Sequence, residues 1–149
     1  MSEKERRQGE ARADRATLAM LARDALRLRV NESRAYSAQW TLASNLGWVR
    51  WEREDGRHVY CGIRRRMDWI TGEIGVSTVP LELDELPLVT SLASVRTNAF
   101  RIQLGMLLHG QDKWWSSGGS EKTLLQRLDW LAQQMQMQLL SVTSSTPRI

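Results

Sequence analysis

Residues 109–125, HGQDKWWSSGGSEKTLL, set a Gly-Gly pair, a serine and a lysine ahead of a leucine-rich run, an order that raises the question of phosphate chemistry. A Walker-type loop, G-x-x-x-x-G-K-[ST], wraps phosphates in successive backbone N–H groups and needs Gly directly before Lys. In this chain Glu121 precedes Lys122, and Gly110 lies too far from Gly118-Gly119. A carboxylate at that point repels a phosphate. The order strand, loop, helix favours anions only as any helix N-terminus does, so the stretch gives no ground for nucleotide hydrolysis.

The remaining reactive residues are sparse. His58 and His109 have no second His, Cys or carboxylate beside them at metal-ligand spacing. Cys61, the only cysteine, falls mid-strand, where a buried structural thiol is commoner than a nucleophile, and a lone cysteine excludes an intrachain disulfide. A G-x-S-x-G elbow is missing. Glu82, Asp84 and Glu85 lie between Pro80 and Pro87 and read as a solvated loop before they read as a cation site. We therefore assign no catalytic residue, no cofactor and no metal.

Two features suit a recognition surface. Arg64-Arg65-Arg66 closes a strand, so alternation sends Arg64 and Arg66 to one face and Arg65 to the other. Trp51, Trp69 and Tyr60 are near enough in the pattern to stack on a ligand. The second feature is Asp112-Lys113-Trp114-Trp115, whose two indoles point to opposite sides of an extended segment. The even-numbered register of Ile102, Leu104, Met106 and Leu108 continues to Trp114, which predicts Trp114 as the inner ring and Trp115 as the outer one. The candidate partner-binding residues are thus Asp112, Lys113, Trp115, Arg64, Arg66 and Trp51.

Positioning these groups calls for a small set of elements. Good helix formers without Gly or Pro predict a helix over Glu10–Leu28, its outer face rich in arginine. A second helix is expected after Asn31, with Tyr36 and Trp40 four apart on one face and Asn45-Leu46-Gly47 as its stop. Period-2 alternation then gives paired strands around Asp55-Gly56, and a second turn at Met67-Asp68 leads to Ile70, Ile74 and Val76 on a third strand. Pro80 and Pro87 bracket a connection that leaves the sheet, with a short helix between Leu88 and Val95. Phe100 to Leu108 alternates as a fourth strand. Leu124, Leu128, Leu131, Met135 and Leu139 recur at helical steps behind a Ser120 cap.

The sum is one α+β domain over 1–149, an antiparallel sheet of about four strands packed with N-terminal and C-terminal helices, with 1–9 and 141–149 expected to be flexible. With 149 residues, 42% apolar and 26% charged, the chain can bury one core. No apolar run reaches a membrane span or a signal-peptide core, so we expect a cytoplasmic protein. Net charge is +4, modestly favourable to an acidic partner. Seven tryptophans against two tyrosines and one phenylalanine suit a binding surface, because indole brings large area at low rotamer cost.

The block Arg101-Ile102, Leu104 to Leu108, Asp112-Lys113-Trp114-Trp115 and Leu124 to Leu140 resembles a family of small bacterial α+β domains of unknown function. LGWVRWERE and its paired strands are similar in layout to that family's opening. The long arginine-rich N-terminal helix and the Pro80–Pro87 insertion depart from it. The resemblance implies no catalytic residues and points to immunity or partner binding, some such domains being encoded beside bacterial toxins. The expectation is a non-enzymatic protein-binding domain whose partner is a protein such as a toxin. The competing expectation is a winged nucleic-acid-binding module, with the second helix in a groove and Arg50, Arg53, Arg57, Arg64, Arg65 and Arg66 on phosphates.

Overall fold

The computed structural model describes residues 2, 20–29, 36–41, as backbone, and 45–144. Residues 20–29 are helical (α1); the remainder of the expected first helix and the termini 1–9 and 145–149 fall outside the described residues, Ser2 apart. The strands are β1 (Tyr36–Thr41), β2 (Leu46–Glu52), β3 (His58–Arg66), β4 (Trp69–Ser77), β5 (Leu88–Val89), β6 (Phe100–Gln103) and β7 (Trp115–Ser116), with α2 (Leu104–His109) and α3 (Glu121–Thr143). The α+β class holds. The sheet is mixed, however, with six strands in the order β1-β2-β3-β4-β6-β5 and β7 added on β4, where about four antiparallel strands were expected. The parallel pair is β5 with β6.

The β2-β3-β4 meander forms as its alternation requires. Gly56 takes φ +83 in the first turn and Met67 takes φ +57 in the second, so each tight turn has a residue in the left-handed region. The expected second helix is instead β1, antiparallel to β2, with Tyr36 opposite Trp51 and Thr41 opposite Leu46. The expected fourth strand stops at Gln103: the apolar run that follows folds as α2, which ends at Gly110 with φ +68. Strands β6 and β7 pair with successive stretches of β4, Glu73 facing Gln103 and Ile70 facing Trp115, and α2 is an excursion between them.

The two faces of the sheet bury different partners. One carries Val49, Trp51, Cys61, Ile63, Ile74 and Ile102 against Leu128, Leu131, Met135 and Leu139 of α3 and Ala22 and Leu26 of α1. The leucine stripe read from the sequence is this contact. Helix α3 reaches Thr143, with Val142 and Thr143 buried, so residues 141–143 are anchored where a flexible tail was expected. Arg57 fixes that end by donating from Nη2 to the Thr143 carbonyl at 2.6 Å.

The second face is covered by the proline-bracketed segment. Leu83 and Leu86 from this cover pack on Leu46, Trp48 and Tyr60. The Tyr60 hydroxyl accepts from Leu81 N–H at 2.9 Å, and Arg50 donates to the Leu81 carbonyl at 2.9 Å. Residues 83–85 form a 3-10 turn and 92–94 another, the second standing where a short helix was expected. The connection does leave the sheet plane, but it folds back as a lid on the sheet.

Candidate functional site

The arginine run at the end of β3 separates into three fates. Arg64 donates from Nε to Glu73 at 2.7 Å and also pairs with Asp84, while Arg101 pairs with Glu73 from the neighbouring strand. Glu73 is only 1% exposed. Burial pulls the Arg64 pKa down, but the hydrogen bonds and charges of Glu73 and Asp84 outweigh it, so the guanidinium is held above its ordinary value. Arg64 is therefore spent on fastening the Pro80–Pro87 cover to the sheet, where a free partner-binding group was expected. Arg65 donates to the Met67 carbonyl at 2.7 Å. Arg66 is exposed and lies over the Trp114 ring, its guanidinium carbon 4.8 Å from the centroid.

The acidic cluster divides in the same way: Asp84 takes Arg64, and Glu85 accepts from the Glu82 N–H at 3.4 Å. Cys61 is buried in the main core. Among the described residues no group of three or more His, Cys, Asp or Glu side chains is placed to hold a metal. Trp51 is 3% exposed and belongs to the main core. Odd-numbered residues of β2 point to the helix-covered face, so its ring is buried where a partner-facing one was expected.

Asp112-Lys113-Trp114-Trp115 alternates as expected, but with the sides exchanged. Trp115 stands opposite Ile70 in the β4–β7 pair, packs half-buried on the main core, and meets Trp130 edge-on at 5.4 Å between centroids. Lys113 shares that side, its Nζ 5.7 Å from the Trp115 centroid. Trp114 turns to the other side, donates from Nε1 to Asp112 at 3.1 Å, and lies under Arg66. The register carried forward from Ile102 fails because α2 interrupts the strand. Thr71 donates to the Lys113 carbonyl at 3.0 Å and Ser117 N–H donates to the Asp68 carbonyl at 2.7 Å, so the segment is laced to β4 and its hairpin.

These placements gather exposed large side chains at one end of the sheet. Met67 is 80% exposed and Trp69, the cross-strand partner of Arg66, is 51% exposed. With Arg66 over Trp114 beside Asp112, the hairpin tip presents two indoles, a thioether and a guanidinium. The sequence signal for Met67 and Trp69 was present as two large apolar residues flanking a turn, a place where polar residues normally stand. On the far side of β7 lies a groove of about 350 Å³ lined by Trp115, Thr123, Gln126, Arg127, Trp130 and Leu131. Trp130, 39% exposed, is its outer wall. An indole off the leucine stripe of a helix was the overlooked clue.

The phosphate question has a local answer. Gly118 turns the chain at φ +86, and Ser120 caps α3 by accepting the Thr123 N–H at 3.2 Å, so the protein's own hydroxyl satisfies a first-turn donor that a bound anion would use. Among the described residues no helix is long and apolar enough to cross a membrane. No protein-family model, curated protein or solved structure matches the chain.

Proposed function

We propose that this chain is a non-enzymatic protein-binding domain that docks through the hairpin tip and the Asp112–Trp115 segment, masking a cognate protein in the cytoplasm in the manner of an immunity factor for a bacterial toxin. The observation that carries the reading is the grouping of exposed Met67 and Trp69 with Trp114 under Arg66 at one sheet end. Trp and Arg dominate interface hot spots, and Met fills irregular partner surfaces. A tip held by two neighbouring strands and by the Ser117–Asp68 bond is ordered before it binds, which lowers the entropic cost of association. The resemblance of the 101–140 block to small bacterial domains supports the immunity form of this reading.

The nucleic-acid reading draws less support. Its recognition helix would have to be the segment that forms β1. Of its phosphate-binding guanidinia, Arg50, Arg57, Arg64 and Arg65 already donate to Leu81, Asp55, Glu73 and Met67.

Co-purification from the native host tests the proposal, with wild type and Trp69→Ala run side by side. We expect a protein recovered stoichiometrically by wild type and lost, with affinity down by about 2 kcal/mol or more, in the variant. Trp69→Ala itself should stay within about 0.5 kcal/mol of wild-type stability. Recovery of no protein, or retention of duplex DNA or RNA at low salt, defeats the reading.

A further inference from the structure

The groove between β7 and α3 differs chemically from the hairpin tip. Its walls are the indoles of Trp115 and Trp130 with Leu131 at the base, and its polar lining is Thr123, Gln126 and Arg127. The Nε of Arg127 is buried and has no hydrogen-bond partner. Lys113, outside the lining, lies over the Trp115 ring with its Nζ 5.7 Å from the centroid. No carboxylate lines the groove, and the nearest acid on the helix, Asp129, is held by Arg29 through two bonds of 2.7 Å.

From this geometry we infer that the groove receives an acidic segment of the protein partner, one carboxylate pairing with Arg127 while an adjacent large apolar side chain lies against Trp115 and Trp130. The inference rests on the protein-binding reading above and names the chemistry of the partner. The Arg127 side chain is half-buried and its Nε has no partner, and a carboxylate can meet a planar guanidinium fork with two parallel bonds. At about 350 Å³ the space is at the small end of ligand sites, enough for one large side chain and its neighbour's head group. Charge complementarity selects an acidic partner, since Arg127 is the one charged residue of the lining, no acid stands with it there, and the chain carries +4 overall. A phosphate would suit the guanidinium equally, but the walls are mainly apolar, and the Thr123 N–H it would use is taken by Ser120.

The test is a nuclear magnetic resonance titration of the full chain, following the indole N–H signals of Trp115 and Trp130 and the Nε–H of Arg127. The probe is an acetylated, amidated tripeptide of phenylalanine flanked by two aspartates. Comparison probes are the same peptide flanked by lysines, the aspartate peptide with alanine at its centre, and inorganic phosphate. We expect saturable shifts at those three signals with the first probe and none with the lysine peptide. Binding should weaken about tenfold in Arg127→Gln, whose side chain lies outside the core, and severalfold in Trp130→Ala. Absence of shifts, equal response to the lysine peptide, or a phosphate response matching the peptide overturns the inference. A native partner lost by Trp69→Ala but held at full strength by Arg127→Gln overturns it while leaving the protein-binding reading intact. Peptide binding in a chain that recovers no native partner does the reverse.

Discussion

Replacing Trp115 by alanine removes a ring that faces Ile70 across the β4–β7 pair, packs on the main core and meets Trp130 edge-on at 5.4 Å. Truncating a fully buried aromatic costs about 3–5 kcal/mol. Trp115 is half-buried, so roughly half that loss applies, and the aromatic pair with Trp130 adds about 0.5–1.5 kcal/mol. The expected cost is about 2–4 kcal/mol. Trp114 is half-buried too, but on the side away from the main core; Trp114→Ala loses that cover, a cation–π contact with Arg66 and the bond to Asp112, for a smaller total of about 1–2 kcal/mol. Urea melts followed by circular dichroism avoid the confusion of seven overlapping indoles. Both variants should keep the wild-type m-value, so the midpoints alone report the difference. Equal losses would mean that both rings are structural and that the tip has no free indole at this position. A larger loss for Trp114→Ala would restore the register read from the sequence and refute the sidedness on which the groove and the hairpin tip are distinguished.

Glu73→Ala removes the buried carboxylate and leaves the half-buried Arg64 and Arg101 with only the Asp84 carboxylate beside them, and removing one partner of a buried pair costs about 3–5 kcal/mol; Asp84→Asn, at the more exposed end, should cost under about 1 kcal/mol by the same melts. The Arg29 hydrogen bond, opposed by partial burial and aided by the guanidinium charge, holds the Asp129 carboxyl below its ordinary value of 3.8. A depressed carboxyl contributes stability above its unfolded pKa and loses it as pH falls through the folded one. Asp129→Asn should therefore melt slightly below wild type at neutral pH, and the two should converge in acid once the pH has fallen through the depressed folded value; a gap that persists there would show that the ion pair is not its source. Gly105→Ala would place a Cβ 2.6 Å from the Lys113 nitrogen and 2.7 Å from the Gln111 oxygen. Because both obstacles are backbone, we expect a loss of about 1–3 kcal/mol together with a shifted Trp115 indole signal, and an unmoved signal would contradict the role of α2 in seating β7.

What the sequence shows and what it hides follow from the range of the interactions. Helix α3 is legible because five apolar residues repeat on one face, and β2 to β4 are legible because alternation and an Asp-Gly turn agree. The spacing of Tyr36 and Trp40 settles nothing: four residues return to the same face in a helix and, being an even number, in a strand too. Only pairing with β2 decides between them. Phe100 to Leu108 misleads for a related reason. Leu104, Met106, Leu107 and Leu108 are apolar at both parities, so the run fits one and a half turns of helix as well as a strand, and the backbone of 111–113 packed against Gly105 selects the helix. Once α2 intervenes, parity no longer carries from Ile102 to Trp114.

The exposed end of the sheet repeats this lesson at the level of single charges. Arg64 and Arg66 share a parity and a strand, yet one is consumed and the other is free to lie over an indole at the tip. The difference comes from Glu73 on the next strand and Arg101 beyond it, residues that no local pattern connects. Glu73 in turn is buried only because the Pro80–Pro87 segment folds over the second face, where glycines at 62 and 75 leave room for Leu83 and Leu86. That cover determines which guanidinium remains exposed at the tip. A charge run is visible in a sequence as composition, but its availability is a property of what lies opposite each residue. The two indoles of the Asp112–Trp115 segment obey the same rule, since the one that meets α3 shapes the groove and the one that meets Arg66 shapes the tip.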